Sequence, residues 1–243
     1  MAGTLTLAEM RSEVLDNLTQ QGVMTTANGV TMSTMVTRWL NRAQTRVARM
    51  HDLIWKEQTA STVASQKSYS FDPLLRSVLS YRLEDGMNSR KLTCVMPSKM
   101  DGVYPKPDVW TTAKPNLYIP FENTNTFELF PIPDAAYVTR LRASFWPTPL
   151  STDAQTSDYN YLDDVLIAYA TMYGYQWLQE MNDSKFWKAI GNDELKAQLN
   201  AEASRFPDWV QVREGFSAGD PSGYVGEYYN NPFVNKDPNL YLS

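Results

Sequence analysis

The 243-residue chain is predicted to be an α+β protein: a helical bundle built from its two ends, a β-rich block inserted between them, and an extended C-terminal arm. Three observations predict this. Apolar residues recur at helical spacing up to Ile54 and again from Tyr161. Between those stretches the period shortens to strand-like alternation, in segments bounded by Pro, Gly, Asn and Asp. After Arg213 neither period survives. The expected organisation is residues 1–54 for the first helices of the bundle, 55–150 for the β-rich insertion, 151–214 for the last helices and 215–243 for the arm.

The first helix starts at Thr6, an N-cap with Glu9 three residues on, the spacing of a capping box. Leu7, Met10, Val14 (or Leu15) and Leu18 line its inner face, and Gln21-Gly22 ends it. A Thr, Asn and Gly-rich loop leads to the second helix, for which Ser33 is the expected cap. Val36, Leu40, Ala43, Val47, Met50 and Ile54 then form one apolar stripe. Along its flank Arg38, Arg42, Arg46 and Arg49 follow at steps of four, four and three.

In the insertion, Tyr69-Ser70-Phe71 alternates, and Val78–Leu83 and Arg90–Val95 read as strands joined by Asp85-Gly86-Met87-Asn88, a hairpin signal. Met96-Pro97-Ser98 opens a short helical turn up to Tyr104, followed by a proline-punctuated loop. Leu117–Phe121, Thr126–Phe130 and Val138–Trp146 are three further strands, with Pro131 and Pro133 in the turn between the last two.

From Tyr161 the apolar positions Leu162, Val165, Leu166, Tyr169, Ala170, Tyr173 and Trp177 cover more than one face, as in a helix buried on most sides. Asn182-Asp183-Ser184 breaks it and caps the next helix, whose apolar positions are Phe186, Trp187, Ile190, Leu195, Leu199 and Phe206. Gly191-Asn192 marks an expected kink or split. The final segment holds four Gly, three Pro and four Tyr, which rules out long regular elements. Its Phe216, Tyr224, Tyr228, Tyr229, Phe233 and Tyr241 are costly to leave in water, so the arm is expected to dock on a surface.

Composition narrows the function classes. A chain that is 43% hydrophobic and 20% charged is globular, not disordered as a whole. A net charge of -5 argues against a dedicated nucleic-acid binder. The 14 Tyr and 7 Trp fit an aromatic core or a protein interface equally well. A single cysteine, Cys94, excludes an intrachain disulfide, and its place in a strand suggests a packed, inert thiol. The first residues lack the apolar core of a signal peptide, and the apolar run Val165–Tyr175 is too short for a bilayer.

Little in the sequence supports catalysis. His51 is the only histidine, so no two-histidine metal site forms within one chain. There is no Gly-x-Ser-x-Gly elbow and no phosphate-binding Gly loop. Asp163-Asp164 reads as helix-start acids favoured by the dipole. No catalytic, cofactor or metal residues are assigned, and no cofactor is expected. The arginine row is the sharpest candidate site. Like charges at these spacings repel, and the row becomes favourable opposite acidic groups or phosphates. With an acidic chain, an acidic protein surface is the better partner; the plain alternative is a solvated face compensated by Asp52 or Glu57.

The run Trp39-Leu40-Asn41-Arg42-Ala43-Gln44-Thr45-Arg46-Val47-Ala48, followed by Trp55-Lys56, resembles the second helix of head-to-tail adaptor (connector) proteins of tailed bacteriophages. So does the later order: Glu128-Leu129-Phe130-Pro131-Ile132-Pro133, a strand ending Phe145-Trp146-Pro147, and Leu162-Asp163-Asp164-Val165-Leu166 opening a long helix. The resemblance implies a structural, non-enzymatic virion protein made in the host cytoplasm and residing in the phage neck. It implies a ring, usually dodecameric, beneath the portal protein, with tail or nozzle proteins on its other side. The C-terminal arm would reach the portal, and DNA would pass through the lumen during genome ejection without specific binding. No membrane contact is implied. The competing readings are another virion tail component (nozzle, tail-tube or baseplate protein) and a carbohydrate-acting enzyme using two carboxylates.

Overall fold

A computed structural model describes residues 5–19, 31–86, 88–103, 111–121, 124–159 and 161–204. The expected arm, the loop around Tyr104–Pro107, the Gln21-Gly22 stop and Phe206 lie outside them. The protein is mixed α+β, and its N- and C-terminal helices pack together. Two compact units result: Met1–Val47 with Pro149–Ser243, and Ala48–Thr148.

The helical unit is built around α4 (Asp163–Trp177), in which every residue from Val165 to Tyr175 is buried. The all-round apolar pattern of that segment is thus a central helix with neighbours on several sides. Among these, α1 (Leu7–Thr19) runs parallel to it: Leu5 N–H donates to Asp163 Oδ2 (2.8 Å), and at the other end Tyr175 OH donates to Asn17 O (3.1 Å). The predicted capping box is present. Thr6 N–H donates to Glu9 Oε2 (2.8 Å), and Glu9 N–H donates to Thr6 Oγ1 (3.3 Å). Leu7, Met10, Val14 and Leu18 are all buried.

Helix α2 (Met32–Met50) runs antiparallel to α4, with Trp39 near Trp177 and Arg46 near Tyr169. Its cap is Thr31, whose Oγ1 accepts from Thr34 N–H (3.4 Å); Ser33 instead accepts from Arg11 Nη1 (2.7 Å). The cap sits two residues earlier than expected because both residue types can cap and the first apolar position, Met32, is already buried. Of the stripe, Val36, Leu40, Ala43 and Val47 are fully buried. The helix stops at Met50, so His51 follows it and buried Ile54 belongs to the next segment. Asn41 and Gln44, polar members of the adaptor-like run, hold the loop after the insertion. Leu150 N–H donates to Asn41 Oδ1 (2.7 Å), Asn41 Nδ2 donates to Leu150 O (2.9 Å), and Ser157 Oγ donates to Gln44 Oε1 (3.2 Å).

The chain leaves α4 through Gln179, at φ 65°. Gln179 N–H donates to Gln176 O (3.2 Å) and Glu180 N–H to Tyr175 O (2.9 Å), the paired bonds of a Schellman motif. Helix α5 (Met181–Ser204) therefore begins before the expected Asn182-Asp183-Ser184 break. It also runs unbroken through Gly191, where a kink was expected. A Cβ on Gly191 would lie 2.8 Å from Tyr169 Cε1, so this glycine lets α4 and α5 approach closely. Asn192 Oδ1 accepts from Tyr169 OH (2.8 Å) on the same seam. Leu195 is buried as expected, but Phe186 is 60% exposed.

The β-unit holds two four-stranded sheets. In the first, β1 (Trp55–Ser61), β8 (Val138–Phe145), β3 (Leu75–Asp85) and β4 (Asn88–Lys91) lie in that order, all antiparallel. In the second the order is β2 (Ser68–Ser70), β7 (Thr126–Phe130), β6 (Leu117–Phe121) and β5 (Thr93–Cys94). The predicted hairpin closes with Asp85 opposite Asn88, and Gly86 takes φ 57° in the turn. The strand expected over Arg90–Val95 divides at buried Leu92, where the chain passes from the first sheet to the second. Pairing, not local pattern, decides that crossing. The sheets meet through aromatics: Tyr81 of β3 stands edge-on to Tyr118 of β6 and Phe127 of β7, at 5.5 and 5.4 Å between centroids. On the other face of the second sheet, α3 (Pro97–Val103) packs Met100 against Ile119 and Phe130.

Candidate assembly interface

The arginine row forms one edge of α2, but its members differ. Arg38, Arg42 and Arg49 are exposed and Arg46 is half-buried. Arg42 Cζ lies 4.4 Å from the Tyr173 ring centroid, and Arg46 Cζ lies 4.9 Å from that of Tyr169. The helices are antiparallel, so an Arg pair four apart on α2 meets a Tyr pair four apart on α4. That complementary spacing was visible in the sequence and is the signal that could have found the contact. Each such contact contributes about 0.5–1 kcal/mol at exposed sites, enough to offset the repulsion of about 0.2–0.5 kcal/mol between like charges four apart. Burial pushes the Tyr169 hydroxyl up from its ordinary value and the Arg46 guanidinium opposes this.

The carboxylates expected to compensate the row act elsewhere. Asp52 pairs with Arg76, which also donates to Ala48 O and lies over the Trp146 ring (4.9 Å). Glu57 pairs with Arg140 (3.1 Å) and Arg142 (2.6 Å) on the face of the first sheet. The Arg142 hydrogen bond is the main reason the Glu57 carboxyl is held below its usual range. Arg140 also meets Glu84 at 2.8 Å, so sequence-distant β1, β8 and β3 share one ionic ladder that no local motif announces.

Asp163-Asp164 does more than favour a helix start. Asp164 is exposed, whereas Asp163 is buried and anchors the chain before α1 through Leu5 N–H. Its other oxygen meets no donor among the described residues. Burial raises the Asp163 carboxyl above its ordinary value, the Leu5 bond opposes this, and Asp164 adds to the rise. A carboxyl raised on folding stabilises the fold most at low pH, and that contribution falls as pH climbs from the unfolded to the folded value. Asp163→Asn keeps an acceptor for Leu5 and removes the charge. Thermal melts from pH 4 to 8 are expected to show the variant at least as stable as wild type near neutrality, with a flatter acid-side profile. A variant much less stable at neutral pH would contradict this account.

Cys94 lies in a strand as expected but is exposed, because β5 is a two-residue strand at a sheet edge. Trp177, Met181 and Phe186 expose apolar surface around the α4–α5 joint. A cavity of about 80 Å³ between the sheets is lined by Gln58, Asp72, Tyr81, Phe127 and Thr139 among others, room for a few waters. Among the described residues no group of three or more His, Cys, Asp or Glu is placed to hold a metal. No helix among them is long and apolar enough to cross a membrane. The arm residues Phe216, Tyr224, Tyr228, Tyr229, Phe233 and Tyr241 lie outside the described residues.

A family model described as SU10 adaptor protein matches residues 5–214, a span that takes in both bundle ends and the whole β-insertion. The chain belongs to the SU10 adaptor protein family. This is a phage head-tail adaptor family, structural rather than catalytic, and membership implies an adaptor or connector role between virion proteins. The resemblance of the Trp39–Ala48 run and the later element order to phage adaptors is thereby borne out. The match ends at residue 214, next to the expected start of the arm at Gly215. A search of the curated proteins found no match.

Proposed function

We propose that the chain is a ring-forming connector of the phage neck, seated between the portal vertex and the tail, with residues 215–243 docking on the portal protein. The observation that carries this reading is the family match over the bundle and its insertion. The arm supports it from composition: a Gly- and Pro-punctuated segment with six Phe and Tyr residues gains little by folding alone and much by ordering on a partner. Tail or nozzle proteins contact the opposite side of the ring. The acidic balance of -5 suits a lumen that lets DNA pass during ejection without holding it. The role is structural, needs no cofactor, and places the protein in the virion after synthesis in the host cytoplasm.

Deleting residues 215–243 tests the arm. Size-exclusion chromatography with light scattering, on mixtures with portal protein, is expected to show a complex for the full chain and none for the truncation. The truncated protein should keep its circular dichroism and melting transition. Portal binding that survives the deletion would remove the arm from the docking role. A full chain that never binds portal would remove the connector reading in favour of another virion component.

A further inference from the structure

We propose that the free edge of β1 receives residues 222–231 of a neighbouring copy, so that each copy's first sheet gains a fifth strand from the next copy's arm. The inference deepens the ring reading and rests on it.

β1 is an open edge. It is the outer strand of the first sheet, and at seven residues it is the longest of the four edge strands. Its register with β8 runs unbroken from Trp55 opposite Ser144 to Ser61 opposite Val138. Phe145 N–H donates to Ile54 O (3.0 Å), and Thr62 N–H donates to Tyr137 O (2.9 Å). Antiparallel bonding alternates, so Lys56, Gln58 and Ala60 bond to β8, while Trp55, Glu57, Thr59 and Ser61 point N–H and C=O the other way. Among the described residues these outward groups have no hydrogen-bond partner. Edge strands are commonly guarded by a proline, a bulge or a free charge. β1 has no proline and no bulge, and its charged side chains, Lys56 and Glu57, are engaged within the chain.

A pocket lies under the same edge. The cavity of about 80 Å³ between the sheets is lined by Gln58 and Ala60 of β1, Ser70 of β2 and the rings of Phe71, Tyr81 and Phe127. It is smaller than the ~150 Å³ that encloses a benzene ring, so it suits one small aliphatic side chain. In strand addition the main chain supplies affinity, and pockets for alternate side chains supply specificity.

The arm carries one segment that fits both. A strand laid along seven residues needs a proline-free run of that length. Within residues 215–243 only Ser222–Asn231, between Pro221 and Pro232, has it. Its centre, Tyr224–Tyr229, holds three tyrosines, which favour strands, and Val225, the one aliphatic side chain of the run. Residues 205–221 span up to about 60 Å, room to reach a second copy. The neighbour is the recipient because β1 lies inside the span shared with the family, residues 5–214, and the arm outside it. The sheet thus belongs to the family's domain without the arm. A donor and an acceptor at different places on each copy make the contact heterologous, the kind that closes into a ring. Residues beyond Pro232 are left for the portal.

Proline placed on each half is the test. Thr59→Pro removes an outward N–H and leaves the β8 ladder whole, as edge prolines do; Val225→Pro changes the arm alone. Circular dichroism establishes that each folds. Should Thr59→Pro fail to fold, Val225→Pro and hydrogen exchange decide. Sedimentation velocity of the full chain, with and without portal, and hydrogen exchange of residues 54–62 read the contact. In wild type the outward amides should be protected in the assembly and exchange freely in the dilute monomer. Each variant should assemble about tenfold more weakly or worse and lose the protection. Folded variants that assemble and protect β1 like wild type overturn the proposal and leave the ring on another surface. Protection that persists in a monomer at the lowest concentration assigns the edge to the chain's own arm and overturns it. Protection that appears with portal and survives Val225→Pro assigns the edge to a portal strand and overturns it too. A wild type that never assembles, with or without portal, removes the ring reading together with the inference.

Discussion

Replacing Phe127 with alanine is expected to cost about 3–5 kcal/mol, the range for a buried aromatic whose cavity cannot collapse. The ring stacks on Phe71 at 4.2 Å and on Tyr69 at 5.6 Å, and receives Tyr81 edge-on across the gap between the sheets. Three rings from two other segments would lose their common neighbour at once. Phe186→Ala supplies the contrast, since that side chain is 60% exposed and its loss should stay within about 0.5 kcal/mol. Urea unfolding read by near-ultraviolet circular dichroism checks both. A Phe127→Ala cost under about 1 kcal/mol would mean that the sheets do not share this core.

Gly191→Ala separates two arguments that disagree in sign. Helix propensity alone favours the substitution by about 1 kcal/mol. The structure opposes it, because the added Cβ would sit 2.8 and 2.9 Å from Tyr169 Cε1 and Cδ1. Tyr169 is fully buried and its hydroxyl is held by Asn192, so the ring has little room to swing away. Overpacking of this kind costs about 1–3 kcal/mol, and the net result should be destabilisation. Gly174→Ala should be milder. Its Cβ meets the tip of Leu18 at 2.7 Å, and a leucine end rotates more easily than a pinned ring. A stabilised Gly191→Ala protein would show that α4 and α5 are not packed this closely.

Much of the fold was legible because it rests on local period. The capping box at Thr6 and Glu9, the buried stripe of α2, the wholly apolar α4 and the Asp85–Asn88 hairpin each carry their signal within a few residues. What escaped depends on partners distant in sequence. The division at Leu92 follows from which strand each half pairs with. Gly191 read as a breaker because the reason for a glycine, the Tyr169 ring, lies on another helix. Phe186 read as core because a helix with one buried seam can still carry apolar residues outside it. The arginine row was found from spacing, but the tyrosines beneath two of its members appear only when α2 is set against α4.

On the proposed reading, this adaptor-family chain acts by assembling as a ring against the portal. Electron-microscope imaging of the full chain mixed with portal protein tests it most directly. The predicted image is a closed ring of copies coaxial with the portal and stacked on its tail-facing side. Single copies scattered on the portal, or rings that form but never stack on it, would contradict the claim.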